Sequence, residues 1–277
     1  FTLIFPFIPM KMVLLSSALL AAALMLSASC LHIRQSPDAC YIDNESSREN
    51  RTNLSADSAN ANGTYAYTVN NLPHFESVDV SSGIILRHIP TGNPTVTVSM
   101  DRKDDHLVQL YVDDGELRVG MAYHNFMRQP HVVVTVTGYT LYGYEASSGA
   151  SIRVGAPLKL DRRLSFEASS GADIQVDRVQ APKFKVEASS GGEVKLYNVL
   201  TDLMEADASS GANITLSGRT QRAKFEVSSG ATVKAERLSA QHAEAEASSG
   251  GEVMCNAATL VVDDDTTSGT VRNVARQ

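Results

Sequence analysis

Phe184-Lys185-Val186-Glu187-Ala188-Ser189-Ser190-Gly191-Gly192-Glu193-Val194-Lys195-Leu196 is the stretch that decides how this chain folds. From Phe184 to Leu196 every second residue is apolar or small, Ala188, Ser190 and Gly192 included, and the residues between them are polar or Gly191. A period of two marks a strand with one buried face. The phase survives Ser189-Ser190-Gly191, so either one strand runs through a bend or two strands meet at a tight corner that the glycine permits. On this parity Ser190 points inward and Ser189 outward.

The phrase Ala-Ser-Ser-Gly, or a one-letter variant, recurs at 146–149, 168–171, 188–191, 208–211, 227–230 and 247–250, with a worn copy, Thr266-Thr267-Ser268-Gly269. Its glycines, 149, 171, 191, 211, 230, 250 and 269, stand 22, 20, 20, 19, 20 and 19 residues apart. An internal repeat of this length is the mark of a solenoid. Stacking the copies on their glycines gives chemically uniform columns. Three residues after the glycine come Ile152, Ile174, Val194, Ile214, Val233 and Val253; three before it come Ala146, Ala168, Ala188, Ala208, Val227 and Ala247. Columns keep their chemistry when equivalent residues touch from coil to coil. Helical solenoids need a 3.6-residue period and leucine-rich repeats a Leu/Asn consensus, and neither is present. The expectation is an all-β, right-handed parallel β-helix with coils of about 20 residues, whose seven coils at a strand spacing of ~4.8 Å give a rod roughly 34 Å long.

Before the repeats the chain is organised differently. The sequence starts with Phe1, and Met10 or Met12 are candidate true starts. Lys11 followed by the apolar run Val13–Leu26 reads as a secretory signal, placed in residues 1–30. Leu26-Ser27-Ala28-Ser29-Cys30 resembles a lipobox with its leucine one position early, which makes Cys30 the expected lipidation site and the lipid anchor the expected membrane attachment. Cys40 and Cys255 then leave no disulfide framework. Residues 31–63 hold few apolar side chains and read as a disordered tether. Residues 64–141 alternate like strands, with turn signals at Ser82-Gly83, Thr91-Gly92-Asn93-Pro94 and Asp113-Asp114-Gly115, but keep no twenty-residue phrase. They form either degenerate coils or an antiparallel cap, and residues 142–277 the regular helix with its C-terminal cap. Within that cap Asp264 is expected to point inward and to block edge growth.

Phe75-Glu76-Ser77-Val78-Asp79-Val80-Ser81-Ser82-Gly83, then Pro94-Thr95-Val96-Thr97-Val98, then Val112-Asp113-Asp114-Gly115-Glu116-Leu117-Arg118-Val119, followed by the serial Ser-Gly strands, resembles a bacterial family of unknown function, the auto-transporter adhesin, head GIN domain family, common among exported Bacteroidetes proteins. The resemblance implies a β-helical, adhesin-like protein of the cell envelope, outer membrane included. It supplies no catalytic residues.

Four residues before each glycine stands a carboxylate: Glu145, Glu167, Glu187, Asp207, Glu226, Glu246 and, in the worn copy, Asp265. Like charges on adjacent strands repel, so something must offset them. Lys185 and Lys224, two positions before the column, and Arg153, Lys195 and Lys234, eight after it, are the internal candidates. Bound Ca2+ between adjacent carboxylates is the external one, although the aspartate-glycine nonapeptide of calcium-binding β-rolls is missing.

Catalytic signals are lacking. The seven histidines make no metal-protease spacing, and no Gly-x-Ser-x-Gly elbow or phosphate loop occurs. A net charge of −7 without a basic patch argues against nucleic acid. The expected function is a non-catalytic envelope module, adhesive or structural, that meets a cell-surface glycan or protein. The alternatives are a carbohydrate-active β-helix enzyme and an envelope scaffold that forms homo-oligomers.

Overall fold

The computed structural model describes residues 51–53, 64–101, 107–122, 131–155, 157–263 and 268–275. All of these belong to one compact unit, Cys40–Gln277. The expected signal segment with Cys30, as well as Cys40, Asp264 and Asp265, lies outside the described residues.

Among the described residues there is no α-helix. The irregular half supplies β1 (Arg51–Asn53), β2 (Thr64–Val69), β3 (Ser77–Val80), β4 (Ile85–Ile89), β5 (Thr95–Asp101), β6 (Val108–Asp113), β7 (Glu116–Met121) and β8 (Val133–Thr137). The regular half follows with β9 (Gly143–Ala146), β10 (Ser151–Val154), β11 (Leu158–Lys159), β12 (Leu164–Ala168), β13 (Asp173–Gln180) and β14 (Lys183–Ala188). Longer strands that bend round the solenoid complete it: β15 (Glu193–Ala208), β16 (Asn213–Val227), β17 (Thr232–Ala247), β18 (Glu252–Val262) and the short β19 (Thr270–Asn273).

These strands build two long walls and a narrow third. On the first wall β7, β3, β9, β12, β14 and the closing segments of β15 to β18 pair in parallel. On the second, β8, β4, β10, β13 and the opening segments of β15 to β18 do the same, ending on β19. The parallel β-solenoid expected from the repeat is therefore present. The expected columns face inward: Ile152, Ile174, Val194, Ile214, Val233 and Val253 are each fully buried. In one inward column of the first wall Tyr144 stacks on Phe166, whereas further along it Phe225 lies in register between the small Ala206 and Ala245.

The region before residue 142 answers both of its alternatives at once. β3 and β4 form a genuine first coil, in parallel register with β9 and β10. The excursion that follows closes the end with antiparallel strands, β6 on β7 through Asp114-Gly115, and β5 on β8 and β2. Within the stretch read as tether, Arg51–Asn53 pairs antiparallel with β2.

The Ser-Ser-Gly phrase is a corner. At Ser147-Ser148-Gly149-Ala150 the second and third residues both have positive φ, 50° and 73°, and the Ala150 N–H donates to the Ser147 carbonyl at 3.0 Å. Positive φ at both central positions is the type I′ turn, which needs glycine or a tolerant residue there. The same geometry recurs at every described copy and also at Ser81-Ser82-Gly83-Ile84, an earlier copy that the interval count passes over. The corners stack. Each glycine N–H donates to the serine carbonyl of the next rung, from Gly83 to Ser148 through Gly250 to Ser268, at 2.9–3.2 Å.

This corrects the inward assignment of Ser148, Ser170, Ser190, Ser210, Ser229 and Ser249. They are exposed at the tip of the turn, because two left-handed residues in succession reverse the direction in which the chain presents its side chains. Burial resumes two residues later, just past the turn glycine, at Ala150, Ala172, Gly192, Ala212, Ala231 and Gly251. The last copy is also reassigned. Ser268 takes the place of Ser249 in the hydrogen-bond ladder, and Thr270 follows Glu252 in register. Gly269 thus corresponds to Gly251, not to Gly250, and the final turn is one residue short.

Unequal coil lengths are absorbed opposite the serine corner. β15 reaches the third wall through Tyr197 and Asn198, whereas β16 does so with Ser217 alone before Gly218. The Ser217 hydroxyl accepts the Asn198 N–H at 3.2 Å.

Candidate functional site

The first wall carries the acidic column outward. Register places Arg118, Asp79, Glu145, Glu167, Glu187, Asp207, Glu226 and Glu246 in one row, one residue per rung. The structure therefore brings together all six candidate ladder residues that repeat spacing identified, and adds Asp79 and the cation Arg118 at its start. Because Val262 pairs with Ala245, the acid that follows Glu246 is Asp263, not Asp265.

Two of the expected lysines do screen the row. Lys185 pairs with Glu187, and Lys224 lies 2.5 Å from Glu226. The other three expectations fail. Arg153 pairs with Asp173 and Lys195 with Glu193, both beyond the corner on the second wall, and the row gains nothing from Lys234, which lies beyond that corner as well. A count of eight positions crosses the turn and so changes walls.

Three acids that lack a lysine two positions earlier are held above the usual carboxylate range. Gly143, Ser165 and Glu205 occupy that place before Glu145, Glu167 and Asp207. Burial, reinforced by the neighbouring carboxylates, pushes Glu145 up to about 7 and Asp207 to about 6, and raises Glu167. Such acids bind more protons folded than unfolded, so their contribution favours the folded state at low pH and is lost as pH rises from about 4.5 through 7. Glu145→Gln is expected to flatten the loss of stability over that window, read as urea midpoints on either side of it. An unchanged slope would mean that Glu145 ionises freely.

Beside the row runs a groove of about 550 Å³, lined by Glu167, Glu187, Asp207, Glu226 and Glu246 on one side and Ser189, Ser209, Ser228 and Ser248 on the other. Its floor is narrow because the intervening inward position is small, Ala168, Ala188, Ala208 or Val227. The first serine of each corner, half-buried, is thus the one that lines a concave surface. Among the described residues no cluster of three or more His, Cys, Asp or Glu side chains is arranged to hold a metal ion. The carboxylates form a row with one residue per rung. Single neutralisation of the row by Glu187→Gln is expected to change stability by no more than about 0.5 kcal/mol, measured by thermal unfolding, because the like-charge contacts with Glu167 and Asp207 are relieved as the ion pair with Lys185 is lost.

His88 is the other perturbed group. It is wholly buried, with Nδ1 2.7 Å from the Tyr144 hydroxyl and Nε2 3.0 Å from the Tyr139 carbonyl. Burial lowers its pKa to about 4. With both ring nitrogens satisfied, it serves the first coil as a polar core residue.

A sequence model of the family described as putative auto-transporter adhesin, head GIN domain, matches residues 74–275. The chain belongs to this family. Solved structures similar to this head GIN chain share its fold. One described as a putative adhesin from Parabacteroides merdae is 16% identical, with a TM-score of 0.66, over 77% of this chain and 97% of its own. A second, described as a putative lipid binding protein from Parabacteroides distasonis, is 15% identical, with a TM-score of 0.65, over 77% and 98%. A third, a putative adhesin from the same species, is 17% identical, with a TM-score of 0.64, over 76% and 97%. No protein of curated function matches the sequence.

Proposed function

We propose that this head GIN chain is a non-catalytic, adhesin-like module of the cell envelope that holds an extended ligand along the groove beside its serine corners. The observation that carries the reading is repetition. From Glu167 to Glu246 the rungs offer the same carboxylate, and from Ser189 the same neighbouring hydroxyl, at intervals of about 4.8 Å. A linear polymer laid along the rod meets the same chemistry at each step, and the carboxylates favour one that carries amino groups, a cell-surface glycan or an extended polypeptide. The leader ending at Cys30 supports export and attachment to the outer membrane through a lipid on that cysteine.

Binding to a surface coated with a deacetylated amino-sugar polymer tests the groove. The unit Cys40–Gln277 is expected to bind, and the variant Glu187→Gln/Asp207→Asn/Glu226→Gln to lose most of that binding. Equal binding by the two proteins, or none by the native one, removes the groove from the reading. Shortening of the polymer during the measurement would instead reveal a hydrolase, since the rung spacing is close to the carboxylate separation of about 5–5.5 Å used by retaining glycosidases.

A further inference from the structure

The two ends of the solenoid are finished differently. The antiparallel strands close the first, whereas at the second β19 covers only Glu252–Cys255 of the last coil. Asn273 extends that cover to Ala257. Its side chain accepts the Ala257 N–H at 3.0 Å and donates to the Ala257 carbonyl at 2.8 Å, standing in for a strand. Beyond it, among the described residues, no strand pairs with the outer edge of Ala258–Val262. The Asp263 N–H donates to the Ala245 carbonyl, back into the rod, so by strand alternation the N–H and C=O groups of Leu260 and Val262 point outward along the axis.

That edge has lost the charges its column carries elsewhere. Register links Lys185, Glu205, Lys224 and Glu244 in alternating sign, and the next residue in the row is Val261. Natural proteins guard exposed edge strands with charge, and in this column the last rung carries none, the nearest charge on the rung being Asp263 at its end. The consequence shows in the exposed apolar surface. Of five large exposed hydrophobic residues among those described, three lie on the last coil: Val261 at 58%, Val262 at 45% and Val274 at 50%.

We propose that this edge is a dimerisation surface, on which Ala258–Val262 of two copies pair antiparallel about a two-fold axis and join two rods end to end. A strand without charge can pair with its own copy without repulsion, and charge placement sets the direction of that pairing. The edge strand is uncharged, and Asp263-Asp264-Asp265 follow it at one end only. Parallel pairing would set the acidic run of one copy against that of the other, whereas antiparallel pairing separates the two runs by the length of the strand. A two-fold contact is also closed, so it yields a dimer and no fibre. Pairing continues the first wall from one rod into the next and covers the open ends of Leu260, Val261 and Val262. This surface lies apart from the groove, and its test is independent of any ligand.

Sedimentation of Cys40–Gln277 under reducing conditions, over a wide range of concentrations, is expected to show a monomer–dimer equilibrium with no larger species. Val261→Lys is expected to weaken it about tenfold or more, with an unchanged thermal midpoint for the monomer because the side chain projects outward. Amide exchange supplies a second reading, since the Leu260 and Val262 amides should become protected only at concentrations where the dimer forms. A monomer at every concentration, growth beyond the dimer, a dimer indifferent to Val261→Lys, or protection of those amides in the monomer would each overturn the proposal.

Discussion

Aspartate in place of Ile174 is expected to leave the solenoid without a cooperative fold. Ile174 is wholly buried and lies in register between Ile152 and Val194, so the new carboxylate would sit between two branched hydrocarbon side chains with no donor to accept from. Burying an unpaired charge is among the few single changes that cost more than about 4 kcal/mol, against a total stability of about 5–15 kcal/mol. The position adds to the damage. Each rung is held chiefly by the rungs above and below it, so a broken rung severs the stack between the first coils and the rest. Far-ultraviolet circular dichroism should show the strand signal reduced and the melt broadened. A sharp transition within a few degrees of the native midpoint would mean that position 174 does not face the core.

Gly218→Ala is expected to cost about 3 kcal/mol or more, read from urea midpoints. Gly218 adopts φ 130°, and a Cβ placed there would lie 2.1 Å from the Val199 carbonyl oxygen and 2.4 Å from the Val199 nitrogen. Those atoms are backbone and cannot step aside without dragging the adjoining rung. Gly191→Ala makes the contrast. There φ is 73° and nothing lies within 4 Å of the added carbon, which leaves only the left-handed penalty of about 1–2 kcal/mol. Equal losses at the two sites would show that the coil relaxes round the short corner.

That ranking runs against the appearance of the sequence, and the reason shows what a repeat can and cannot reveal. Gly191 advertises itself by recurring, yet recurrence reports a turn that each coil makes in open space. Gly218 occurs once, because its coil is a residue shorter at that corner than the coil before it and the last coil shortens there in a different way, so no column forms to notice. The inward columns at Ile174 and Ala188 were legible because period-two alternation and stacking act on the same residues. So was the carboxylate row, whose members are related by the repeat alone. Ser190 was misplaced because alternation assumes extended backbone, and two left-handed residues break that assumption while restoring the phase just beyond the turn. The copy at Ser81-Ser82-Gly83 escaped the count because the chain departs for an excursion before returning to stack upon it. The groove was partly visible: alternation put its acids and Ser189 with its equivalents on one outward face, but the hollow between the two rows shows only in the folded corner.

The same excursion has a consequence for the order in which the molecule assembles. In the regular half a residue meets its partner one coil away, as Ala188 meets Ala208. The first coil must instead wait for a partner much further along, since Val80 pairs with Ala146, 66 positions later. Closing the longer loop costs about 1 kcal/mol more in chain entropy than closing a single coil, and its contacts appear only after the intervening antiparallel strands have found their places. The later coils can therefore zip together locally while the beginning of the domain is still a chain, although that beginning is what the ribosome makes and an export channel would release first. During that interval the strands of the first coil are exposed edges, which makes the earliest part of the protein the part most dependent on a chaperone.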